Sequence, residues 1–190
     1  MKIHGTAKGG ALSKKDFGVA FGGGAITPVS ELISKQTAYD SKQNSPTYQG
    51  WIFKLESSTY QDKTITSFTL KHENVDGTAS GNVSLKLYPI GENPWDSLGD
   101  LIGSMGIKAV PSGTTTEDVE FTDSVTVPSA GAWMLLDLSG VTNEDKYAVW
   151  ATESAEPAEY DPWLECFKFK SDDSVVDSGA DWYYSISGYE

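Results

Sequence analysis

The sequence contains no arginine, one cysteine and no long apolar run, and each of these absences excludes a class of protein. All 14 basic residues among the 190 are lysines, and 27 acidic residues give a formal net charge of −13. Nucleic-acid binding draws on clustered cations and bidentate guanidinium groups, so we expect no nucleic-acid partner. Because no segment approaches the roughly 20 apolar residues of a membrane span, we expect no membrane partner either.

The single cysteine, Cys166, cannot form a disulfide within the chain, so stability has to come from packing and from assembly with other chains. Hydrophobic residues make up 38% of the sequence and aromatic residues 12%, a composition typical of a globular domain. The first residues lack the apolar run of a secretory signal. We therefore expect synthesis in the cytoplasm.

The charge divides the chain into two parts. Residues 1–48 contain six lysines and three acids, whereas residues 49–190 contain eight lysines and 24 acids. The first part is also rich in glycine, whose backbone is costly to order unless a surface holds it. The sequence therefore predicts an extended, net-basic docking arm over residues 1–48 and an acidic β-sandwich domain over residues 49–190.

A short motif in the arm combines charge with alternating apolar residues. Lys14 and Lys15 precede Phe17, Val19 and Phe21, which share one face if the segment is extended. Such a segment is suited to adding a strand to the edge of a neighbouring sheet. These five residues are our candidates for partner binding, and a flexible leader without a role is the alternative.

Strand signals recur at nearly regular spacing from residue 49 onward. The clearest alternation runs from Asn82 to Tyr88, where Val83, Leu85 and Leu87 lie on one face. Polar turns separate the apolar segments, and only residues 98–105 have the three- and four-residue spacing of a helical turn. About nine short strands with almost no helix predict an antiparallel β-sandwich. The strand segments are 49–55, 64–72, 82–88, 119–121, 125–127, 133–138, 146–151, 163–169 and 182–186.

The order of these segments resembles the jelly-roll sandwich domain of tailed-bacteriophage virion proteins and related extracellular carbohydrate-binding modules. The resemblance is carried by segments 65–70, 81–88, 94–104, 133–138 and 146–150 and covers roughly residues 47–190. It implies an all-β, jelly-roll-like sandwich. In similar domains the turn before the Lys-Tyr strand usually holds a glycine, whereas this chain has Asn143, Glu144 and Asp145 there.

Support for catalysis is thin. The two histidines, His4 and His72, have no serine or aspartate partner at a recognisable spacing, and a lone histidine on a strand is usually structural. We therefore expect a protein that is not an enzyme and has no cofactor.

Acidic pairs in expected loops leave Ca²⁺ binding open, because hard oxygen ligands in loops suit this ion. The candidates are Asp172, Asp173 and Asp177. Other acids, including Glu117 and Asp118, are also expected in a loop. No segment matches the spaced Asp-x-Asp-x-Asp-Gly loop, and a solvated acidic surface is the favoured interpretation.

Glycan binding is the main alternative function. Exposed aromatic rings offer an apolar face to a sugar, and four rings lie in or beside predicted turns: Trp95, Tyr160, Trp163 and Trp182. Aromatic residues at strand starts also close the ends of a sandwich core, which is the favoured interpretation of these four.

The sequence thus predicts a virion structural protein, a capsid decoration or accessory subunit anchored to the shell by its arm. Its partners would be a major capsid or other virion protein, and further copies of itself in a homo-oligomer. The alternative is a carbohydrate-binding module or a receptor-binding fibre domain that contacts cell-surface glycans. In the first case the protein would lie on the virion surface after synthesis in the host cytoplasm.

Overall fold

A computed structural model describes residues 28–36, 41–44, 48–91, 98–152, 165–170, 175–177 and 181–190. These residues form two antiparallel sheets that pack as a β-sandwich, which confirms the all-β prediction. The only helical element among them is a 3₁₀ turn at Glu144–Lys146. The strands are β1 (Glu31–Gln36), β2 (Ser41–Asn44), β3 (Tyr48–Leu55), β4 (Thr64–Asn74), β5 (Ser80–Pro89), β6 (Gly103–Ala109), β7 (Thr116–Phe121), β8 (Val125–Thr126), β9 (Ala132–Asp137), β10 (Val141–Thr142), β11 (Tyr147–Thr152), β12 (Glu165–Lys170), β13 (Val175–Asp177), β14 (Asp181–Trp182) and β15 (Tyr184–Tyr189).

The first sheet is built around β4. On one side, β4 pairs with β15 over its first half and with β11 over its last three residues. On the other side it pairs with β7 and β8. β1 pairs with β15 and β2 pairs with β11, so β1 and β2 lie at one edge of this sheet and β7 and β8 at the opposite edge.

The second sheet runs in the order β10-β5-β9-β3-β12-β13, and β6 also pairs with β5. The alternation predicted for β5 is confirmed, because Val83, Leu85 and Leu87 are fully buried. Burial of each such side chain stabilises the fold by about 1.5–3 kcal/mol. The inner faces of the two sheets supply the main core, in which Trp51 and Phe53 of β3 face Phe68 and Trp182 of the first sheet.

The structure differs from the sequence prediction at the end of the predicted arm. β1 and β2 fall within residues 1–48, yet they pair with β15 and β11 inside the sandwich. The boundary expected at residue 48 is therefore too late for the described residues. Residues 1–27, which contain the motif around Phe17, lie outside the described residues.

The segment with helical spacing, residues 98–105, is not helical: it is irregular up to residue 102 and continues as a strand. β6 begins at Gly103, and the N–H of Ile102 already donates to the carbonyl of Leu87 on β5. The register shifts between Leu85 and Lys86 opposite Gly106, whose φ of +110° lies in the region that favours glycine. A bulge at this position is incompatible with a helix.

Candidate functional site

Most of the residues that the sequence singled out lie outside the part of the chain that the structure describes. Asp177 ends β13, but its side chain is not described. Of the predicted binding residues, only Trp182 has a described side chain. Those outside are Lys14, Lys15, Phe17, Val19, Phe21, Trp95, Tyr160, Trp163, Asp172 and Asp173.

Trp182 belongs to the core, which agrees with the favoured interpretation of this residue and corrects the alternative, a role in glycan binding. Its side chain is fully buried, with the ring centroid 5.4 Å from that of Trp51 and 6.5 Å from that of Phe53. A ring without accessible surface cannot stack on a sugar. Since neighbouring strand residues point to opposite faces, the next residue, Tyr183, is the half-exposed one.

Tyr183 forms a compact polar group with Lys71 and Asp118, which we call the Tyr183 cluster. The Nζ of Lys71 donates to Oδ1 of Asp118 at 2.7 Å and lies 4.8 Å from the centroid of the Tyr183 ring. The Tyr183 hydroxyl donates to Oδ2 of the same carboxylate at 3.4 Å. The cluster presents an aromatic ring, a cation and an anion on the outer face of the first sheet.

The strand beside this cluster, β7, carries more acids than its neighbours. Glu117, Asp118 and Glu120 lie within β7, and Asp123 follows it. The sequence analysis had placed Glu117 and Asp118 in a loop, and the structure corrects this: the strand begins at Thr116. Among the described residues β7 pairs only with β4, so its other side is an open sheet edge.

The acids of β7 point to both faces of the sheet. Glu117 is opposite the buried His72 and therefore shares the inner face, whereas Glu120 is opposite Thr69 on the outer face. Glu120 accepts a hydrogen bond from the hydroxyl of Ser67 at 2.6 Å. Within the described part of the chain, Glu117 lies 3.6 Å from the Nε2 of His72, and neither Glu117 nor Glu120 forms an ion pair with a lysine. We call Glu117, Asp118, Glu120 and the unpaired backbone of β7 the β7 edge.

A groove of about 340 Å³ opens between β6 and the β7 edge, where the two sheets meet. Its walls include Lys108, Ala109, Glu117 and Val119, and His72 lies at its floor. The N–H of Asp123, which follows β7, donates to the carbonyl of Met105 on β6. The side-chain amide of Asn74, at the end of β4, donates to the carbonyl of Pro111 at 2.9 Å.

His72 links the groove to the core. It is 1% exposed, its Nδ1 lies 3.0 Å from the Tyr147 hydroxyl, and its Nε2 lies 3.6 Å from Oε1 of Glu117. Burial lowers the pKa of His72, and the carboxylate of Glu117 opposes this shift only in part. Burial also raises the pKa of Tyr147 far above its usual range, so its hydroxyl stays protonated and can donate to Nδ1. The neutral imidazole then carries its proton on Nε2, which points toward Glu117.

No group of three or more histidine, cysteine or acidic residues within the described ranges is arranged to hold a metal ion. The predicted Ca²⁺ ligands lie elsewhere and remain predictions. Over the same described ranges, no helix has the length and apolar character needed to cross a membrane.

Comparison with known proteins gives no match among protein-family models, curated proteins or solved structures. The resemblance to phage virion domains therefore stays an expectation from the sequence. Sequence reasoning missed Tyr183 and the open edge of β7. The signal for the strand was present in Glu117, Val119 and Phe121, which alternate as inner-face residues.

Proposed function

We propose that this protein is a non-enzymatic structural subunit of a virion, a capsid decoration or accessory protein. Its sandwich faces solvent, and its N-terminal residues 1–27 anchor it to the particle. The order of strand pairs supports the jelly-roll class. β2, β11, β4 and β7 are successive neighbours in one sheet, and β3, β9, β5 and β6 in the other. Two sheets with this interleaved order are what two Greek keys produce.

The observation that carries the proposal is the apolar surface where the N-terminal segment joins the sandwich. Val29 is 78% exposed and Leu32 is 48% exposed, and both lie at the edge strand β1 or immediately before it. They line a surface pocket together with Lys63, Tyr189 and Glu190. Exposed apolar side chains beside polar groups suit a contact with a partner, and here they adjoin the residues expected to form the arm.

The charge of the body fits the same role. Its net negative charge keeps free copies from aggregating before assembly, while the lysines of the arm orient the encounter with an acidic partner surface. The affinity would come chiefly from burial of the apolar side chains Phe17, Val19 and Phe21.

Removal of residues 1–27 tests the proposal. The chain is expressed in trans during infection by a phage that lacks its own copy, and the particles are purified on a density gradient. We expect the full chain to co-sediment with particles and the truncated chain to remain at the top of the gradient. Circular dichroism of the truncated chain is the control for folding.

Two results would contradict the proposal. One is a full chain that never enters the particle fraction. The other is a truncated chain that enters it as efficiently as the full chain does.

Glycan binding is the second candidate, and the Tyr183 cluster is the observation that favours it. A tyrosine ring beside Lys71 and Asp118 offers an apolar face with hydrogen-bonding groups at its rim. Trp95, Tyr160 and Trp163 remain predicted ligands of this alternative.

The test is retention of the full chain on a glycan array. If glycans bind at the cluster, Tyr183→Ala abolishes retention and leaves the fold intact, whereas Tyr183→Phe retains most of it. Equal signals from wild type and Tyr183→Ala, or no signal from wild type, would remove this candidate.

A further inference from the structure

We infer that the β7 edge receives the basic arm segment, residues 14–21, of a second copy of this chain. The inference rests on the proposed function, because it names one surface to which the anchoring arm binds. The segment would add a strand beside β7, with main-chain hydrogen bonds along the edge and side chains placed on alternate faces. Three observations support this pairing: the open edge, the charge of its acids and the groove behind it.

The open edge of β7 offers unpaired backbone N–H and C=O groups to an additional strand. Neither the pairing of β7 nor the backbone hydrogen bonds found elsewhere among the described residues involves the outer side of Thr116–Phe121. A strand with an unpaired edge is a template for another chain. β7 has six residues, and the alternating segment of the arm from Lys15 to Phe21 has seven, so the two lengths match.

The charges on β7 favour this strand over the other edge strands as the binding site for the basic arm segment. Thr116–Phe121 contains three acids and no lysine, whereas the edge strand β1 contains Glu31 together with Lys35, and β6 contains Lys108. A second β7 would be repelled by its like charge. A strand that carries lysine is attracted, and the arm has two lysines in succession, Lys14 and Lys15.

The faces of the two strands also correspond. Glu117 lies on the inner face and Glu120 on the outer face of β7, both without a cation partner among the described residues. Successive residues of a strand point to opposite faces, so Lys15 and Lys14 present one cation to each face of the edge. In a parallel register that sets Lys15 beside Glu117 on the inner face, Phe17 falls beside Val119, and Lys14 falls beside Thr116 on the outer face, which also carries Asp118 and Glu120.

The groove explains why the arm is apolar on one face. Phe17, Val19 and Phe21 share the face of Lys15, which is the face turned toward the groove between β6 and β7. The groove offers about 340 Å³ with Ala109 and Val119 in its walls, enough to receive an aromatic side chain that would otherwise be exposed to water. Burial lowers the pKa of His72 and favours its neutral form, and Lys108 on the β6 side is the one lysine among the described residues that line the groove.

A charge-swap experiment on the full chain tests this inference. One variant carries Lys14→Glu with Lys15→Glu, and a second carries Glu117→Lys with Glu120→Lys. Each change places like charges on the arm and the edge, so we expect each variant alone to self-associate at least tenfold more weakly than wild type in sedimentation velocity. An equimolar mixture of the two pairs an acidic arm with a basic edge, and we expect association to return.

The control variants distinguish the effect of charge at the β7 edge on self-association from the effect of the net charge of the chain. Asp100→Lys with Glu144→Lys makes the same change in net charge at exposed positions outside the β7 edge, and we expect wild-type association. Thermal unfolding monitors the fold of each variant. If the Glu117 substitution unfolds the chain, Glu120→Lys alone replaces it, because this side chain lies on the outer face.

Several outcomes would overturn the inference. One is a wild-type chain that stays monomeric at about 200 μM. Another is a pair of charge-swap variants that each associate as strongly as wild type. A third is an equimolar mixture of the two variants in which association does not return. The variant with all four substitutions again combines an arm and an edge of opposite charge, so a monomeric state of this variant beside a self-associating wild type would also overturn the inference.

The experiment also distinguishes this inference from the proposed function. If self-association fails while removal of residues 1–27 still prevents particle entry, the arm binds another virion protein and only the inference is wrong. If the charge swaps behave as expected but the chain never enters particles, the proposed function is wrong.

Discussion

At the scale of single residues, the buried pair of His72 and Tyr147 has the sharpest physical consequence. Burial holds the pKa of His72 below that of an unfolded histidine, so the unfolded chain binds this proton more readily than the folded chain. The contribution of the neutral, buried imidazole to the free energy of unfolding is therefore complete above about pH 6.5. It is lost as the pH falls from there through the lowered pKa of His72.

We therefore expect the free energy of unfolding to decrease between pH 7.5 and 5.5 in wild type, and to change less in His72→Gln. Urea unfolding at several pH values measures both. Tyr183→Phe, which keeps His72 and its surroundings, is the matched control. Identical slopes for wild type and His72→Gln would contradict the account of this pair.

Single residues also show where sequence reasoning reached its limit. The apolar alternation in β5 correctly predicted that Val83, Leu85 and Leu87 lie on the inner face of the sheet. At Trp182 and Tyr183 the same signal was available but was not applied: Trp182, Tyr184 and Ile186 are buried, and Tyr183 and Ser185 between them are half-exposed. At Asn143 the structure supplies the missing glycine by other means. This residue adopts φ 56° and ψ 51°, and its amide donates to the carbonyl of Thr78 at 3.0 Å, in keeping with the tolerance of asparagine for this conformation.

At the scale of elements, strands with apolar inner faces were predicted, whereas the polar edge strands β1 and β2 were not. β3, β4, β5, β9 and β11 bury one or both faces, so their sequences carry β-branched and aromatic residues at the expected period. β1 and β2 are short and largely polar, and what makes them strands is their pairing with β15 and β11 rather than their own pattern.

This difference predicts distinct effects of two truncations. Removal of residues 1–27 leaves every described strand intact, so we expect the urea midpoint to stay within experimental error of wild type. Removal of residues 1–45 also deletes β1 and β2, which exposes the edges of β15 and β11, and we expect a clearly lower midpoint. Equal midpoints for the two truncated chains would mean that β1 and β2 do not contribute to the stability of the sandwich.

At the scale of the whole molecule, the protein combines a basic N-terminal segment with an acidic sandwich that has open sheet edges. The exposed Val29 and Leu32 mark where the segment leaves the first sheet, and the β7 edge offers acids at the other side of the same sheet. The overall division of charge could be predicted from the sequence. The position of the acids on an edge strand could not, because it depends on which strands find partners in the folded chain.

Cryo-electron microscopy of purified particles that contain the full chain would show where residues 1–27 lie. We expect a sandwich on the outer surface of the shell, with residues 1–27 ordered against a neighbouring subunit and the segment around Phe17 buried in that contact. Density that shows these residues folded onto the sandwich of their own chain, without contact to a neighbour, would contradict the proposed anchoring role.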